Sequence, residues 1–184
     1  MKTILKCIII SLFTLGNCAF SQEDIKDDKF SIHAFSIVPI GGELGYNYTE
    51  AGSAYSFSAD ISFCYKKNIF ALSGAHSPNY DLFWGSSSFN STQVNLLYGR
   101  EFELLDWLSI DPYAGIGFIR FSGDYDTGFD YVHENVTELG IPILAKIRFK
   151  TGKIFSLGFK LQTTINSIST LYSLGLILQW QLDT

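Results

Sequence analysis

The chain has 184 residues, which suits one domain, and 47% of them are hydrophobic. Acidic residues outnumber basic ones by 18 to 13, which gives a formal charge of −5. An acidic chain without a basic stripe is a poor nucleic-acid binder, so we expect no nucleic-acid partner.

The first 21 residues have the layout of a secretory signal peptide. Two lysines precede an apolar run at 7–16, and small residues stand at the −3 and −1 positions before Gln22. The run is too short for a helix that crosses a membrane. We predict a signal peptide at 1–21, a charged lead-in at 22–29 and one domain at 30–184.

A lipoprotein signal is the alternative interpretation of this leader, with Cys18 as the lipidated residue. Such signals usually carry a small residue where Asn17 stands, so we favour the secretory signal. Cleavage after residue 21 would remove Cys7 and Cys18 and leave Cys64 as the last cysteine. We therefore expect no internal disulfide in the mature chain, despite its oxidising destination.

The rest of the chain predicts no transmembrane helix, because no later stretch holds 18 consecutive apolar residues. Only helices and closed barrels satisfy all their backbone groups within lipid. An exported chain of this apolar composition is then either a soluble β-protein or a membrane β-barrel.

From residue 30 onward, apolar and polar residues alternate with the period of two that is typical of strands. In one such segment, Phe57 and Ile61 share an apolar face, whereas Asp60 lies on the opposite, polar face. The pattern predicts eight strands, at 30–38, 55–65, 69–76, 91–102, 109–122, 138–150, 154–166 and 171–182. The segment 39–50 also alternates, and it either extends the first strand or forms a strand of its own.

Long links alternate with short turns between these strands. We predict long links at 39–54, 77–90 and 123–136 with a short one at 167–170, and opposite turns at 66–68, 103–108 and 151–153. Long loops at one end and tight turns at the other are typical of an outer-membrane barrel with its turns in the periplasm. An even strand count then puts both termini on the periplasmic side.

Aromatic residues gather at both ends of the predicted strands, as expected for rings at two lipid–water interfaces. Those beside the short turns are Tyr65, Phe102, Trp107, Phe149, Phe155 and Trp180. Those near the long links are Tyr55, Phe57, Trp84 and Tyr172.

The last strand carries the most specific motif. From Ser173 onward it reads polar-x-Gly-x-x-apolar-x-aromatic, with Gly175, Leu178 and Trp180 at the defined positions. In this motif, and in its architecture over about 30–182, the chain resembles the small, roughly eight-stranded outer-membrane β-barrels of Gram-negative bacteria. It departs from their pattern in the four residues that follow the aromatic residue.

The resemblance implies an all-β fold, an antiparallel up-and-down transmembrane β-barrel of about eight strands in the outer membrane. It also implies two partners: outer-membrane lipid with lipopolysaccharide, which contacts the barrel wall, and the barrel-assembly machinery, which recognises the last strand. The resemblance further implies that the barrel is a monomer. The specific role stays open between a structural one and interaction at the cell surface.

The hairpin at 138–166 has a predicted register, because its two apolar faces must lie on the same side of the sheet. A three-residue turn at 151–153 pairs Phe149 with Phe155. Pro142 lacks an N–H for the ladder of a closed barrel, so we expect a bulge there. The residues predicted to touch lipid are Leu139, Ile141, Ile143, Ile147, Phe149, Phe155, Leu157, Phe159 and Leu161.

Charged residues on the polar faces are predicted to point into the barrel. They are Glu43, Asp60, Glu101, Glu138, Lys146, Arg148 and Lys160. An eight-stranded barrel is just wide enough for side chains to fill, and opposite charges inside it should pair because unpaired burial is costly. We therefore expect a side-chain-filled lumen and no wide pore.

His76 and Ser77, with Asp81 nearby, are the candidates for hydrolytic chemistry. A serine nucleophile needs a base within reach and an acid that orients the base. Some barrels of this size act on lipid A, but the His-x-Ser-Asn spacing expected of the deacylase type is absent here. The other histidines are His33, in the first strand, and His133, in the third long link. We predict no enzyme and assign no catalytic residue.

An acidic cluster at 123–134 is a candidate for a loose divalent-cation site. Hard cations prefer several oxygen ligands, but the spacing of an EF-hand is not met. We favour an acidic, solvated loop, and we assign no metal ligand and no cofactor. The carboxylates of this cluster are Asp124, Asp126, Asp130 and Glu134.

Two other functional classes stay open. The first is a soluble secreted barrel of the lipocalin type that binds a small apolar ligand, with its apolar faces inside. The second is an outer-membrane enzyme that modifies lipid A. Alternation alone does not choose between an apolar inside and an apolar outside.

Overall fold

The computed structural model of the protein describes residues 30–46, 51–78, 90–126, 131–167 and 170–182. At 46, 51–53, 123–126 and 131–135 it describes the backbone alone. The predicted signal peptide and lead-in lie outside the described residues, as do Trp84, Asp81 and Asp130.

The described residues form nine antiparallel strands that close into a barrel. They are β1 (Ser31–Tyr46), β2 (Ala51–Tyr65), β3 (Asn68–Ser77), β4 (Asn90–Gly99), β5 (Phe102–Leu105), β6 (Leu108–Asp126), β7 (Tyr131–Lys150), β8 (Phe155–Ile165) and β9 (Thr170–Gln181). Each strand pairs with its neighbours in sequence, except that β4 and β5 both pair with β6 rather than with each other, and β1 pairs with β9 to close the sheet.

The predicted count of eight barrel strands is confirmed, because β4 and β5 occupy one position in the wall. Both pair with β6: Leu96 of β4 lies opposite Ile116, and Phe102 of β5 lies opposite Ile110. The ladder is interrupted between them at Arg100 and Glu101.

The two ends of the barrel differ less in loop length than the sequence predicts. The end that holds the connections 47–50, 78–89, 127–130 and 166–169 is here called the loop end, and the opposite end the turn end. The long links predicted at 39–54 and 123–136 are wrong, because most of their residues are strand. Alternation there continues the pairing of β1 with β2 and of β6 with β7, so residues 39–46 of the segment 39–50 extend the first strand, while 47–50 lie outside the described residues.

The hairpins therefore have unequal heights. β6 and β7 are 19 and 20 residues long, whereas β3 and β8 have 10 and 11 residues. A tilted strand crosses a bilayer with about 9–11 residues, so the β6–β7 hairpin extends well past the length that a crossing needs.

Two bulges in β1 break its alternation. The register against β2 shifts between Ile32 and Ala34 and again between Val38 and Gly41. The second bulge contains Pro39, which has no N–H to donate to a ladder. Consequently His33 and Ala34 are both buried, and Pro39 and Ile40 are both exposed.

The bulge predicted at Pro142 is wrong. The pairs on either side of it, Ala114 with Ile143 and Gly117 with Gly140, keep one register. On its other side Pro142 lies directly opposite Thr164. The missing N–H leaves the ladder between β6 and β7 incomplete here without inserting a residue.

The predicted register of the β7–β8 hairpin is wrong by two residues. Phe149 lies opposite Leu157 rather than Phe155, and Lys146 lies opposite Lys160. The cause is a wider turn, in which the Thr151 N–H donates to the Phe155 carbonyl at 3.2 Å. A slip of two residues preserves which face each side chain occupies.

The predicted faces are therefore confirmed. The outer wall is apolar and the interior is mostly polar, with Leu139 57% exposed and Lys146 1% exposed. All nine hairpin residues predicted to touch lipid lie on the outside, either exposed or half-buried. In the part of the chain that the structure describes, no helix has the length and apolarity to cross a membrane.

Aromatic rings pair along the outside of the turn end, as predicted. Trp107 stacks on Phe149 with 6.0 Å between ring centroids, and Trp180 contacts Phe155 at 5.4 Å. At the loop end Tyr55, Phe57 and Tyr172 are exposed, which completes the second belt over the described residues. Two such belts fit two lipid–water interfaces.

Candidate functional site

The turn-end cluster of the lumen consists of Glu101, Asp111 and Arg148. The Arg148 Nε and Nη2 donate to the two oxygens of Asp111 at 2.6 and 3.0 Å. Its Nη2 also lies 2.7 Å from Glu101 Oε1. Both Arg148 and Asp111 are fully buried, so the bidentate geometry compensates two charges that water does not reach.

Strand pairing and a glycine make room for this cluster. Asp111 and Arg148 lie on the inward faces of β6 and β7, which are neighbours in the wall. On the other side of Arg148 stands Gly158. A Cβ at Gly158 would lie 1.9 Å from the Ile147 carbonyl oxygen, so the close approach of these strands requires glycine.

Glu101 sits outside the regular strands, in the break between β4 and β5. Its carboxylate lies 3.3 Å from Lys150 Nζ and 3.5 Å from His33 Nε2, in addition to Arg148. Burial raises the pKa of Glu101, but the charge of Arg148, aided by Lys150 and His33, outweighs it and holds that pKa below its ordinary value. Glu101 is therefore ionised at neutral pH.

The middle of the lumen holds a second ion pair. Lys146 Nζ lies 2.5 Å from Asp60 Oδ1, and Ser36 Oγ donates to the same oxygen at 3.0 Å. Lys160 Nζ lies 4.0 Å from the other carboxylate oxygen, Asp60 Oδ2. The Lys146 ammonium also lies over the Tyr113 ring, 5.3 Å from its centroid.

The interior also contains a small cluster of buried apolar side chains. Its members are Ile69, Ala71, Leu97, Tyr113 and Leu144. The interior is thus mixed, although polar and charged residues form most of the buried set among the described residues.

The loop-end cluster is built differently, around one carboxylate and neutral donors. Ser91 Oγ donates to Glu43 Oε1 at 2.6 Å, and Gln93 Nε2 donates to Glu43 Oε2 at 3.2 Å. Gln93 accepts in turn from Gln162 and Thr164, at 3.1 and 3.2 Å. The ion pairs of the described residues do not include Glu43.

Side chains leave little open space between the middle of the lumen and the loop-end cluster. The void bounded by Glu43, Gln93 and Lys160 measures about 10 Å³. A water molecule needs at least about that volume, so this part of the barrel is filled rather than open.

Of the charges predicted to point inward, five are buried in the lumen: Glu43, Asp60, Lys146, Arg148 and Lys160. Glu101 is partly exposed at the turn end. Glu138 is only half-buried and accepts from Ser167 at 2.9 Å. Asp111 is not among the residues predicted to point inward, although alternation places it on the same face of its strand as Gly115 and Gly117.

The candidates for hydrolytic chemistry do not converge. Ser77 is fully buried in the lumen, whereas the neighbouring His76 projects outward, where its Nδ1 lies 2.9 Å from Thr92 Oγ1. Adjacent residues of a strand point to opposite faces, so the two cannot act as base and nucleophile. His33 lies at the turn end, and the side chain of His133 is outside the described part.

The described residues of the candidate cation site at 123–134 lie in the loop-end part of the β6–β7 hairpin. The ladder sets Asp124 opposite His133 and Gly123 opposite Glu134, and Asp130 lies outside the described residues. Among the residues with described side chains, no group of three or more histidine, cysteine, aspartate or glutamate side chains could hold a metal ion.

No protein-family model and no curated protein matches the chain. Solved structures do match it. Neisserial surface protein A superposes with a TM-score of 0.68 at 10% identity, over 84% of this chain and 99% of that one. The attachment invasion locus protein Ail of Yersinia pestis, in complex with the heparin analogue sucrose octasulfate, gives 0.57 at 9% identity, over 83% and 99%.

The N-terminal β-barrel domain of Pseudomonas aeruginosa OprF gives a TM-score of 0.54 at 12% identity, over 82% of this chain and 99% of that domain. Identities this low establish the fold alone. The chain therefore has the fold of the small eight-stranded outer-membrane β-barrels.

Proposed function

We propose that the protein is a monomeric, non-enzymatic outer-membrane barrel with a side-chain-filled lumen and no wide pore. Its role is to stabilise the envelope or to present its loop end at the cell surface. The observation that carries the proposal is the distribution of polarity. Ion pairs and hydrogen bonds fill the inside, whereas Leu139, Phe118 and Ile116 are each more than half exposed on the outside.

A soluble ligand-binding barrel needs the reverse arrangement, an apolar interior and a polar exterior. Here the interior carries Arg148, Asp111, Lys146 and Asp60, and the void near Glu43 is too small for a ligand. The outward row of large apolar residues would be costly in water. These observations favour the membrane barrel over the lipocalin type.

Two partners belong to this proposal. The apolar wall contacts outer-membrane lipid, and lipopolysaccharide is the lipid expected around the loop end. The motif ending at Trp180 lies within β9, the last strand, where the barrel-assembly machinery would read it. The side chains of His76 and Ser77 lie on opposite faces of β3, and this arrangement supports a barrel without hydrolytic activity.

Fractionation tests the location. We expect the full-length chain in the outer-membrane fraction, with a gel mobility that changes when the sample is boiled, since a closed barrel resists unheated detergent. Recovery in the soluble periplasm would contradict the proposal.

Planar-bilayer recording tests the lumen. The purified barrel is expected to show no large stable conductance, because the buried ion pairs occupy the path through it. A steady open channel in the wild-type protein would contradict the filled lumen while leaving the barrel and its location intact.

A further inference from the structure

An outward row of polar side chains crosses four neighbouring strands near the loop end. It consists of His76 on β3, Thr92 on β4, Arg120 on β6 and Thr137 on β7, and is here called the rim row. Strand pairing sets His76 opposite Thr92, Thr92 opposite Arg120, and Arg120 opposite Thr137. Thr92, Arg120 and Thr137 are exposed, and His76 is half-buried.

The rim row marks a sharp change in the outer wall. Two residues closer to the turn end, on the same faces of β4, β6 and β7, stand Val94, Phe118 and Leu139, at 53, 62 and 57% exposure. An arginine on the lipid face costs about 2–4 kcal/mol at the bilayer midplane and about 0–1 kcal/mol near the interface. In the proposed membrane location, the change from Phe118 to Arg120 is the one expected at the depth of the lipid headgroups.

The donors of the rim row fit a phosphate group. Adjacent strands lie about 4.7–4.9 Å apart, so roughly 10 Å separates the backbones that carry His76 and Arg120, with Thr92 between them. A guanidinium group such as that of Arg120 can bind phosphate oxygens in bidentate fashion, and threonine hydroxyls can donate alongside it. His76 is held toward the same position by its 2.9 Å contact with Thr92 and by the edge-on Phe57 ring, 5.3 Å away.

We propose that the rim row binds the phosphate of a lipid headgroup in the leaflet that surrounds the loop end. This inference rests on the proposed membrane location. It assigns a chemical specificity to one sector of the wall, from β3 to β7, which is flanked on the turn-end side by apolar residues that contact the acyl chains. A protein with an overall negative charge would in this way retain an anionic lipid at one place.

The test compares two lipids that differ only in the phosphate. The full-length barrel in detergent micelles is supplied with dioleoyl phosphatidate or with dioleoylglycerol, and the lipid retained per barrel is measured by native mass spectrometry. We expect retention of phosphatidate but not of dioleoylglycerol. Arg120→Gln should weaken phosphatidate retention about tenfold or more, because it removes a charge-assisted hydrogen bond. Arg120→Lys keeps the charge but loses the bidentate geometry, so its retention of phosphatidate should lie between that of the wild type and that of Arg120→Gln.

Lys67→Gln is the matched control, since Lys67 is an exposed cation in the turn between β2 and β3 at the opposite end. It should retain phosphatidate like the wild type. Equal retention of the two lipids by the wild type, or unchanged retention in Arg120→Gln, would overturn the proposal. Displacement of phosphatidate by millimolar inorganic phosphate would also overturn it, because the row would then take a free anion.

Fractionation separates the two levels of the proposal. A chain that is absent from the outer membrane would contradict the proposed function itself. A chain that resides there, with a heat-dependent mobility in both wild type and Arg120→Gln, and yet shows no preference for phosphatidate would contradict the rim row alone.

Discussion

Buried charges are stabilised in different ways at the two ends of the lumen. In the turn-end cluster, Arg148 faces Asp111 and Glu101, so each charge is compensated by another charge. In the loop-end cluster, Glu43 is held by the hydroxyl of Ser91 and the amide of Gln93.

The difference predicts opposite responses to mutation. Removal of one member of an ion-paired cluster leaves its partners charged and buried, which is costly. Removal of a charge held by neutral donors leaves hydrogen bonds that a neutral side chain can still make. The turn end should therefore be sensitive to neutralisation and the loop end tolerant of it.

The largest effect is expected for Arg148→Met, which preserves an unbranched side chain but removes the guanidinium. Asp111 and Glu101 then lose their shared partner, and we expect a loss of about 3–5 kcal/mol in the free energy of unfolding. Urea unfolding in micelles, followed by tryptophan fluorescence, measures it. Lys153→Met in the exposed β7–β8 turn makes the same change of charge and should be nearly silent. A loss below about 1 kcal/mol for Arg148→Met would show that water reaches the cluster.

The second effect concerns the backbone that makes room for Arg148. In Gly158→Ala the new Cβ would lie 1.9 Å from the Ile147 carbonyl oxygen and 2.9 Å from Arg148 Cα. Backbone atoms cannot rotate aside, so we expect a loss in the upper part of the range of about 1–3 kcal/mol for overpacking. Gly74→Ala is the matched substitution, because no atom beyond the two adjacent residues lies within 4 Å of a Cβ there. The same urea titration should show a lower free energy of unfolding for Gly158→Ala than for Gly74→Ala. Equal stabilities of the two variants would refute a tight contact at Gly158.

The third effect is a pH dependence from the turn end. The pKa of Glu101 is held below its ordinary value of 4.5, so between these values the unfolded chain binds more protons than the folded one. Its contribution to stability is fully present above 4.5 and is lost as the pH falls through the folded-state pKa. At neutral pH, Glu101→Gln should cost about 1.5–2 kcal/mol, the lower part of the range for hydrogen bonds to charged groups, because Glu101 is partly exposed.

Unfolding of the wild type and of Glu101→Gln, measured in parallel from pH 7 to pH 3, checks this linkage. The difference between the two proteins should be constant above 4.5 and shrink below it. A difference that grew on acidification would mean that the carboxyl group is protonated in the folded state, contrary to the ion pairs with Arg148 and Lys150.

The faces of the barrel were predictable because a period of two assigns every residue to one side. The alternation around Lys146 and Arg148 puts both inside whether the hairpin register is right or shifted by two, since an even slip preserves the faces. The register itself depended on the geometry of the turn at 151–154, which alternation does not encode.

Bulges obscure the faces of a strand in the sequence more than turns do. In β1 the insertions around His33 and Pro39 put consecutive residues on one face, so a strict alternation misassigns one of each pair. Proline was a partial signal, since Pro39 coincides with a bulge and Pro142 does not. The clusters could be predicted as a set of inward charges, but Arg148 meets Asp111 only because β6 and β7 are adjacent in the wall.

The smallest effect is expected at the loop end. In Glu43→Gln the amide oxygen can accept from Gln93 Nε2, while the amide nitrogen donates to Ser91 Oγ, which is free to accept because its hydroxyl hydrogen rotates. The substitution keeps both contacts and removes a buried charge, so we expect a change within about 1 kcal/mol of the wild type by urea unfolding. Glu43→Leu provides the contrast, because it removes both acceptors and leaves the donors of Ser91 and Gln93 unsatisfied, at a cost of about 1–3 kcal/mol. If Glu43→Gln proved as damaging as Arg148→Met, Glu43 would need a positive partner in the folded barrel, and the two ends of the lumen would follow one rule rather than two.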